Sequence, residues 1–236
     1  MESHEAAQDF DNCLSRCSPF CQLSDHILQH LDKVTSRVSC RKKERLFIEG
    51  QEPRGIFILC TGKAKLFTCS TSGKVIITRC AEAGDVLGLN AVVSNRRYGV
   101  TAEMMINGQV NFIPRCFLMQ LMKEYDELAF VVAEQLSRSY FPVHDALRSL
   151  GLTSHPVERL AKLLLSWTDS GTEDVETSSK AFKLPLTHQE IAERIGSTRE
   201  TVSKLFAELR TKRLLESNGP ALAITNRLQM EKIVQF

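Results

Sequence analysis

Apolar positions along the chain follow two rhythms. From about Ser39 to Pro114 they come in short runs rich in Val, Ile, Phe and Thr, and after Pro114 they recur every three or four residues. The runs Leu46–Ile48, Ile56–Cys60, Lys63–Cys69, Val75–Cys80 and Val110–Ile113 predict strands. Turn residues cut them at regular intervals: Gly50, Gly55, Gly62, Gly73, Gly84, Gly88 and the pair Asn107-Gly108. Strand spacing of this kind predicts a double-sheet β-roll of the jelly-roll type. Asn107-Gly108 predicts a hairpin, because both residues tolerate positive φ. Upstream, Leu23–Val34 has the spacing of a short amphipathic helix with Ser24 as its cap. Residues 1–21 are polar and carry Cys13, Cys17 and Cys21.

The helical rhythm is sharpest from Thr187 to Arg210. Thr187 with Glu190, and Ser197 with Glu200, read as two capping boxes. Gly196 lies between them, where the chain must turn tightly. Ala192 is small where two helices would cross, and Ile191, Ile195, Val202, Leu205 and Leu209 form the stripe to be buried. The spacing of Ala192, Gly196 and Val202 is that of a helix-turn-helix whose second helix enters a DNA major groove. Leu214 to Thr225, turning at Asn218-Gly219, predicts a hairpin that makes this a winged helix, and a last helix runs from about Asn226 to Val234.

Between the two regions, residues 115–123 predict one short helix and Asp126 to Leu150 a longer one. Ala129, Val132, Leu136, Tyr140, Val143, Leu147 and Leu150 follow each other in steps close to a heptad seam. A dimer contact is therefore preferred over burial against the chain's own strands, with Pro142 expected to kink or interrupt the seam. Gly151–Ser154 reads as a hinge, Pro156 opens a helix to about Trp167, and Asp169–Ala181 is a polar loop. The result is an α+β chain with a cysteine-bearing arm (1–22), a β-roll (23–124), a long dimerisation helix (125–151) and a winged helix-turn-helix domain (152–236).

Composition narrows this picture at a few points. The net charge of +2 is uninformative, but from Lys180 onward ten basic side chains face six acidic ones, the sign a phosphate-facing module needs. No apolar run approaches a membrane span, and the acidic start Met1–Glu5 is not that of a signal peptide, so a cytoplasmic protein without membrane contact is expected. Eight cysteines in such a protein point to reduced thiols, metal ligation or redox chemistry rather than a disulfide framework. Cys40, Cys60, Cys69 and Cys80, on strands, are expected to be small buried hydrophobes. No GxGxxG, Walker loop, HExxH or nucleophile elbow occurs. The six histidines lack ligand spacing except His26 and His30, which read as surface neighbours on one helix. No enzyme is expected.

A β-roll, a long helix and a winged helix-turn-helix resemble the Crp/Fnr family of bacterial transcription regulators over nearly the whole chain. The resemblance is most specific at Thr187 to Lys204 and at Ala83-Gly84-Asp85-Val86-Leu87-Gly88, which looks like the family's phosphate-cassette turn. It implies a cyclic-nucleotide-binding-like β-roll, a homodimer, a palindromic DNA site with half-sites like TTGAC or TGTGA, and contact with RNA polymerase. The family's base-reading positions fall on Arg199, Glu200 and Lys204, with Ser203 matching the Fnr-like branch. Their chemistry agrees: Arg offers a fork to guanine and Glu accepts from the cytosine amino group. Lys204 replaces a planar fork by a point charge. Thr198 and Thr201 suit phosphate contacts that orient the helix, and Thr187 caps the helix before it. Arg210, Lys212 and Arg213 are further phosphate candidates.

What the protein senses stays open among several inputs. Cyclic-AMP binders of this family follow the cassette Gly with a Glu and later supply an Arg-Ser pair; here Leu89 and Asn90 follow Gly88, and the pair's place falls on Tyr98-Gly99. Neither supplies a cation for a phosphate, so cyclic AMP is disfavoured. The Fnr branch holds an iron–sulfur cluster on three cysteines ahead of the first helix and a fourth just before the Ile-Pro that ends the roll. Cys13, Cys17 and Cys21 match in place but not in spacing. The fourth position is Asn111, with Cys116 the nearest substitute. Direct oxidation of these thiols is a further input. Others are a small effector near Gly84, Asp85 and Gly88, or no cofactor at all, with constitutive activity.

Overall fold

Two four-stranded antiparallel sheets build the first part of the chain, in the orders β1-β8-β3-β6 and β2-β7-β4-β5. Their strands are β1 Ser36–Cys40, β2 Arg45–Phe47, β3 Gly55–Thr61, β4 Ala64–Cys69, β5 Val75–Ala81, β6 Val86–Leu87, β7 Thr101–Met104 and β8 Gly108–Pro114. This computed structural model describes residues 19–152, 155–169, 181–218 and 221–234. Within it the chain divides into two units, Met1–Val143 and His144–Phe236.

β3 and β8 pair with each other at the centre of one sheet, and both faces are covered, which is why they read as nearly continuous apolar runs. Leu59 and Val110 point into the roll with Phe47, Ala64, Leu87, Tyr98, Ala102 and Met104. Ile56, Ile58 and Ile113 point outward, under a layer of helices. That layer consists of a 3-10 turn at Pro19–Gln22, α1 Asp25–Val34, α2 Leu89–Ser94, α3 Arg115–Glu124 and the first part of α4, Asp126–Leu152. Phe20, Leu31, Leu118 and Leu128 are fully buried there. Ser24 stands at the N-cap of α1 without a side-chain cap bond, and its N–H donates instead to Glu127 Oε1 at 2.9 Å.

Two expectations are corrected. Asn107-Gly108 is not a hairpin: β7 and β8 belong to different sheets, and neither residue has positive φ. Gly108 is needed for closeness instead, since a Cβ there would run into the Thr61 carbonyl oxygen. The tight hairpin of the roll joins β4 to β5 through Gly73, at φ +81°. Pro142 does not interrupt α4: it removes one amide donor, and the helix continues past it. Gly151 and Leu152 are still helical, and Thr153 and Ser154 of the expected hinge lie outside the described residues. The seam divides as well. Val132 is buried against the β-roll core, whereas Tyr140, Val143 and Leu147 are exposed.

The second unit holds α5 Pro156–Asp169, β9 Ala181–Lys183, α6 His188–Ile195, α7 Arg199–Thr211, β10 Leu215–Asn218, β11 Ala221–Ile224 and α8 Arg227–Val234. Its antiparallel sheet, β10-β11-β9, is the expected wing. Among the described residues no helix is long and apolar enough to cross a membrane.

Candidate functional site

Thr187 caps α6 with a complete capping box: Glu190 N donates to Thr187 Oγ1 at 3.3 Å, and Thr187 N donates to Glu190 Oε2 at 2.9 Å. Gly196 ends the helix at φ +65°, and both its N–H and that of Ser197 donate to the Ala192 carbonyl. The chain is therefore still turning at Ser197, and the second cap falls one residue later than its sequence suggested. Thr198 caps α7, accepting from Thr201 N at 3.2 Å, and the Ser197–Glu200 box does not form. Ile191, Ala192, Ile195, Val202 and Leu209 are buried as expected. Leu205 is only half-buried; Phe206, missed by the stripe, takes the interior place.

The opposite face of α7 presents Thr198, Arg199, Glu200, Ser203 and Lys204 to solvent, with Thr201 half-buried. Glu200's own backbone N–H and the Thr198 hydroxyl, then the charges of Arg199 and Lys204, hold its carboxyl below the usual range. It is thus an ionised acceptor at neutral pH. Ser203 is not a free-standing contact, because its hydroxyl lies 3.0 Å from His188 Nδ1. The His188 ring stacks on Phe206, centroids 4.7 Å apart and planes 4° from parallel. Burial, then Arg210 and Arg199, depress its pKa, which favours neutral imidazole. Lys212 is paired with Glu208 at 2.6 Å, and Arg210 and Arg213 are exposed.

The first unit contains a cavity of about 880 Å³ between the roll and α4. Gly84, Asp85 and Gly88 line it, as do Arg79, Tyr98, Gln135 and Arg138. Asp85 is committed to structure: it accepts from Arg79 and from Glu82 N, and its carbonyl accepts from Leu59 N. Tyr98 closes the end beside Gly88. Its ring stacks on Phe47 at 4.1 Å, and its hydroxyl donates to the Gly55 carbonyl at 2.6 Å. A Cβ on Gly88 would meet the Tyr98 ring at 2.8 Å. Arg97 is spent on an exposed pair with Glu52.

Cys13 and Cys17 lie outside the described residues. Cys21 is exposed on the 3-10 turn, Cys116 is exposed on the first turn of α3, and Asn111 is buried. Cys40 is a buried hydrophobe whose thiol burial pushes up, but Cys69 is exposed at the end of β4, and Cys60 is disulfide-bonded. Among the described residues no three His, Cys, Asp or Glu side chains come together as metal ligands.

Family models match both units: a cyclic nucleotide-binding domain over residues 37–125 and a Crp-like helix-turn-helix domain over residues 158–233. The chain is 26% identical to the regulatory protein HlyX of Actinobacillus pleuropneumoniae, over 90% of this chain and 87% of that one. It is 26% identical to the fumarate and nitrate reduction regulatory protein of Yersinia pestis, over 89% and 83%. The solved structure of FixK2 from Bradyrhizobium japonicum shares the fold at a TM-score of 0.71 and 23% identity, covering 85% of this chain and 97% of that one. The chain belongs to the Crp/Fnr family. Crp/Fnr proteins are DNA-binding transcription regulators, and the winged unit with its solvent-facing α7 is the corresponding module here. A cyclic nucleotide-binding domain is likewise present, and Tyr98 lines its cavity together with Arg79 and Arg138.

Proposed function

We propose that this chain is a homodimeric transcription regulator that reads a palindrome with TTGAC- or TGTGA-like half-sites through Arg199, Glu200, Ser203 and Lys204. The exposed polar face of α7 carries this reading. Thr187 and Thr198 fix the two helix starts, so the side chains that follow Thr198 project from a rigid turn. Thr198 and Thr201 are assigned to phosphates and Glu200 to a cytosine amino group. Two-fold pairing is assigned to α4, where Tyr140, Phe141, Val143 and Leu147 are 42–66% exposed. RNA polymerase is the expected protein partner of the DNA-bound dimer.

The control signal is assigned to redox or gas chemistry at the N-terminal cysteines, as the fumarate and nitrate reduction regulatory relatives suggest. When bound, an iron–sulfur cluster would supply gas sensitivity and require four thiolates, for which Cys13, Cys17, Cys21 and Cys116 are the candidates. Of these, Cys21 and Cys116 are exposed, while Asn111, where the resemblance puts the fourth ligand, is buried; Cys13 and Cys17 lie outside the described residues. Direct oxidation among Cys13, Cys17, Cys21 and Cys116 is the second reading of the same thiols. Cyclic AMP is disfavoured by Tyr98, and the cavity beside Arg79 and Arg138 remains the place for any small effector.

A gel-shift titration with a palindromic probe at several salt concentrations tests the reading. Binding should weaken as salt rises, and Glu200→Ala should relax base choice at one half-site position by about 1–3 kcal/mol. Undiminished discrimination in that variant would remove Glu200 from the base-reading set.

A further inference from the structure

α1 carries two histidines that neither DNA reading nor thiol chemistry employs. His26 and His30 are one helical turn apart, the i, i+4 spacing that sets two imidazoles side by side on one face. Their ring centroids are 4.5 Å apart, with planes at 54°. His26 is exposed and His30 half-buried, so solvent reaches both. His30 Nδ1 lies 2.8 Å from the His26 carbonyl oxygen. A carbonyl only accepts, so Nδ1 carries the proton, and the neutral ring presents the lone pair of Nε2 instead. Metal-bound histidines are oriented in this way, by an acceptor on the ring nitrogen that faces away from the ion. A third ring backs the pair. Tyr125, which packs on the helical layer of the core, lies edge-on 5.7 Å from the His26 ring and 5.8 Å from the His30 ring. Imidazoles that lean on an anchored ring lose less rotamer freedom on closing around an ion.

We propose that His26 and His30 chelate one divalent first-row transition ion of the nickel and zinc class, with water completing the coordination shell. Imidazole nitrogen suits these borderline ions, whereas magnesium and calcium take oxygen ligands. Among the described residues no third His, Cys, Asp or Glu joins the pair. The ion therefore keeps open positions, and its hold is weaker than in a closed four-ligand site. α1 is fixed to the first turn of α4 by Ser24 N, which donates to Glu127 Oε1 at 2.9 Å. Just ahead of it, Gln22 Nε2 donates to Glu134 Oε2 at 3.2 Å. An ion clipped across successive turns of α1, beside Tyr125, stabilises this junction because it binds the folded chain and not the unfolded one. It does so whether or not α7 reads the proposed palindrome.

The test uses the full chain with isotope-labelled histidine, titrated with nickel chloride alone and, in a separate sample, with zinc chloride. Paramagnetic nickel should broaden the NMR ring signals of His26 and His30 together, ahead of the other four histidines. Zinc should shift the same two signals. Affinity is then read at the ring that remains in each single variant, His30 in His26→Ala and His26 in His30→Gln. It should fall by about tenfold or more in both. Tyr125→Phe, which keeps the backing ring, should bind like the wild type. The wild-type spectra decide the site even where a variant unfolds. Broadening confined to one of the two rings, or an affinity unchanged in either histidine variant, overturns the chelate. Broadening of neither ring at nickel concentrations that saturate the chain does the same and places the ion on other ligands. Loss of binding in Tyr125→Phe overturns the two-imidazole set by making the phenol a ligand.

Discussion

Tyr98 shows how one side chain can build the wall of a pocket. Its ring fills the space that Gly88 leaves by lacking a Cβ, and its hydroxyl is held by the Gly55 carbonyl. Burial pushes the phenol pKa up, so it remains a neutral donor. Tyr98→Phe should keep the packing and lose the bond, costing about 1–2 kcal/mol in urea unfolding; an unchanged midpoint would mean that the Gly55 carbonyl finds another donor. His188 supports a pH prediction. Its folded pKa lies below the ordinary 6.5, so the fold favours the neutral ring. That contribution is complete above about pH 6.5 and is lost as pH falls from there toward the depressed folded value. Thermal melts from pH 5 to 8 should therefore show less acid destabilisation in His188→Phe than in the wild type, and parallel curves would exclude His188 as a source.

At the scale of elements, α7 was readable because its signals are local: a turn glycine, a cap and a stripe. What the sequence left ambiguous also has local causes. Ser197 and Thr198 are both good caps, and only the bond from Ser197 N to Ala192 decides that the helix starts after the second. Leu205 and Phe206 stand three and four positions after Val202, and both spacings suit a buried face; Phe206 goes inward and stacks with His188. The heptad steps of α4 could not separate two burial partners, since Val132 and Leu147 fit one seam but only Val132 meets the β-roll. A double substitution Tyr140→Glu with Leu147→Glu should leave the β-roll folded and yield monomers by light scattering, with loss of palindrome binding. Val132→Glu should instead unfold the roll by burying a charge. A dimer surviving the double substitution would exclude this stretch of α4 as the pairing surface.

For the whole molecule, both units were legible as patterns, but which strand lies beside Asn111 was not. Sequence spacing drew attention to Cys116 because it is close to Asn111 along the chain; antiparallel pairing brings Cys60's strand beside Asn111 instead, with Ile58 directly opposite it. Phe20 packs on the outer face of the same sheet. Fully buried, it secures the start of the described chain to the outer face of the sheet, a burial worth about 2 kcal/mol for a ring of its size. It thereby marks a natural cutting and labelling point. Removing everything before Pro19 takes Cys13 and Cys17 away while the aromatic plug stays in its socket. A dye on the exposed thiol of Cys21 would sit beside that fixed hydrophobic plug and report its loosening as an optical signal that owes nothing to DNA.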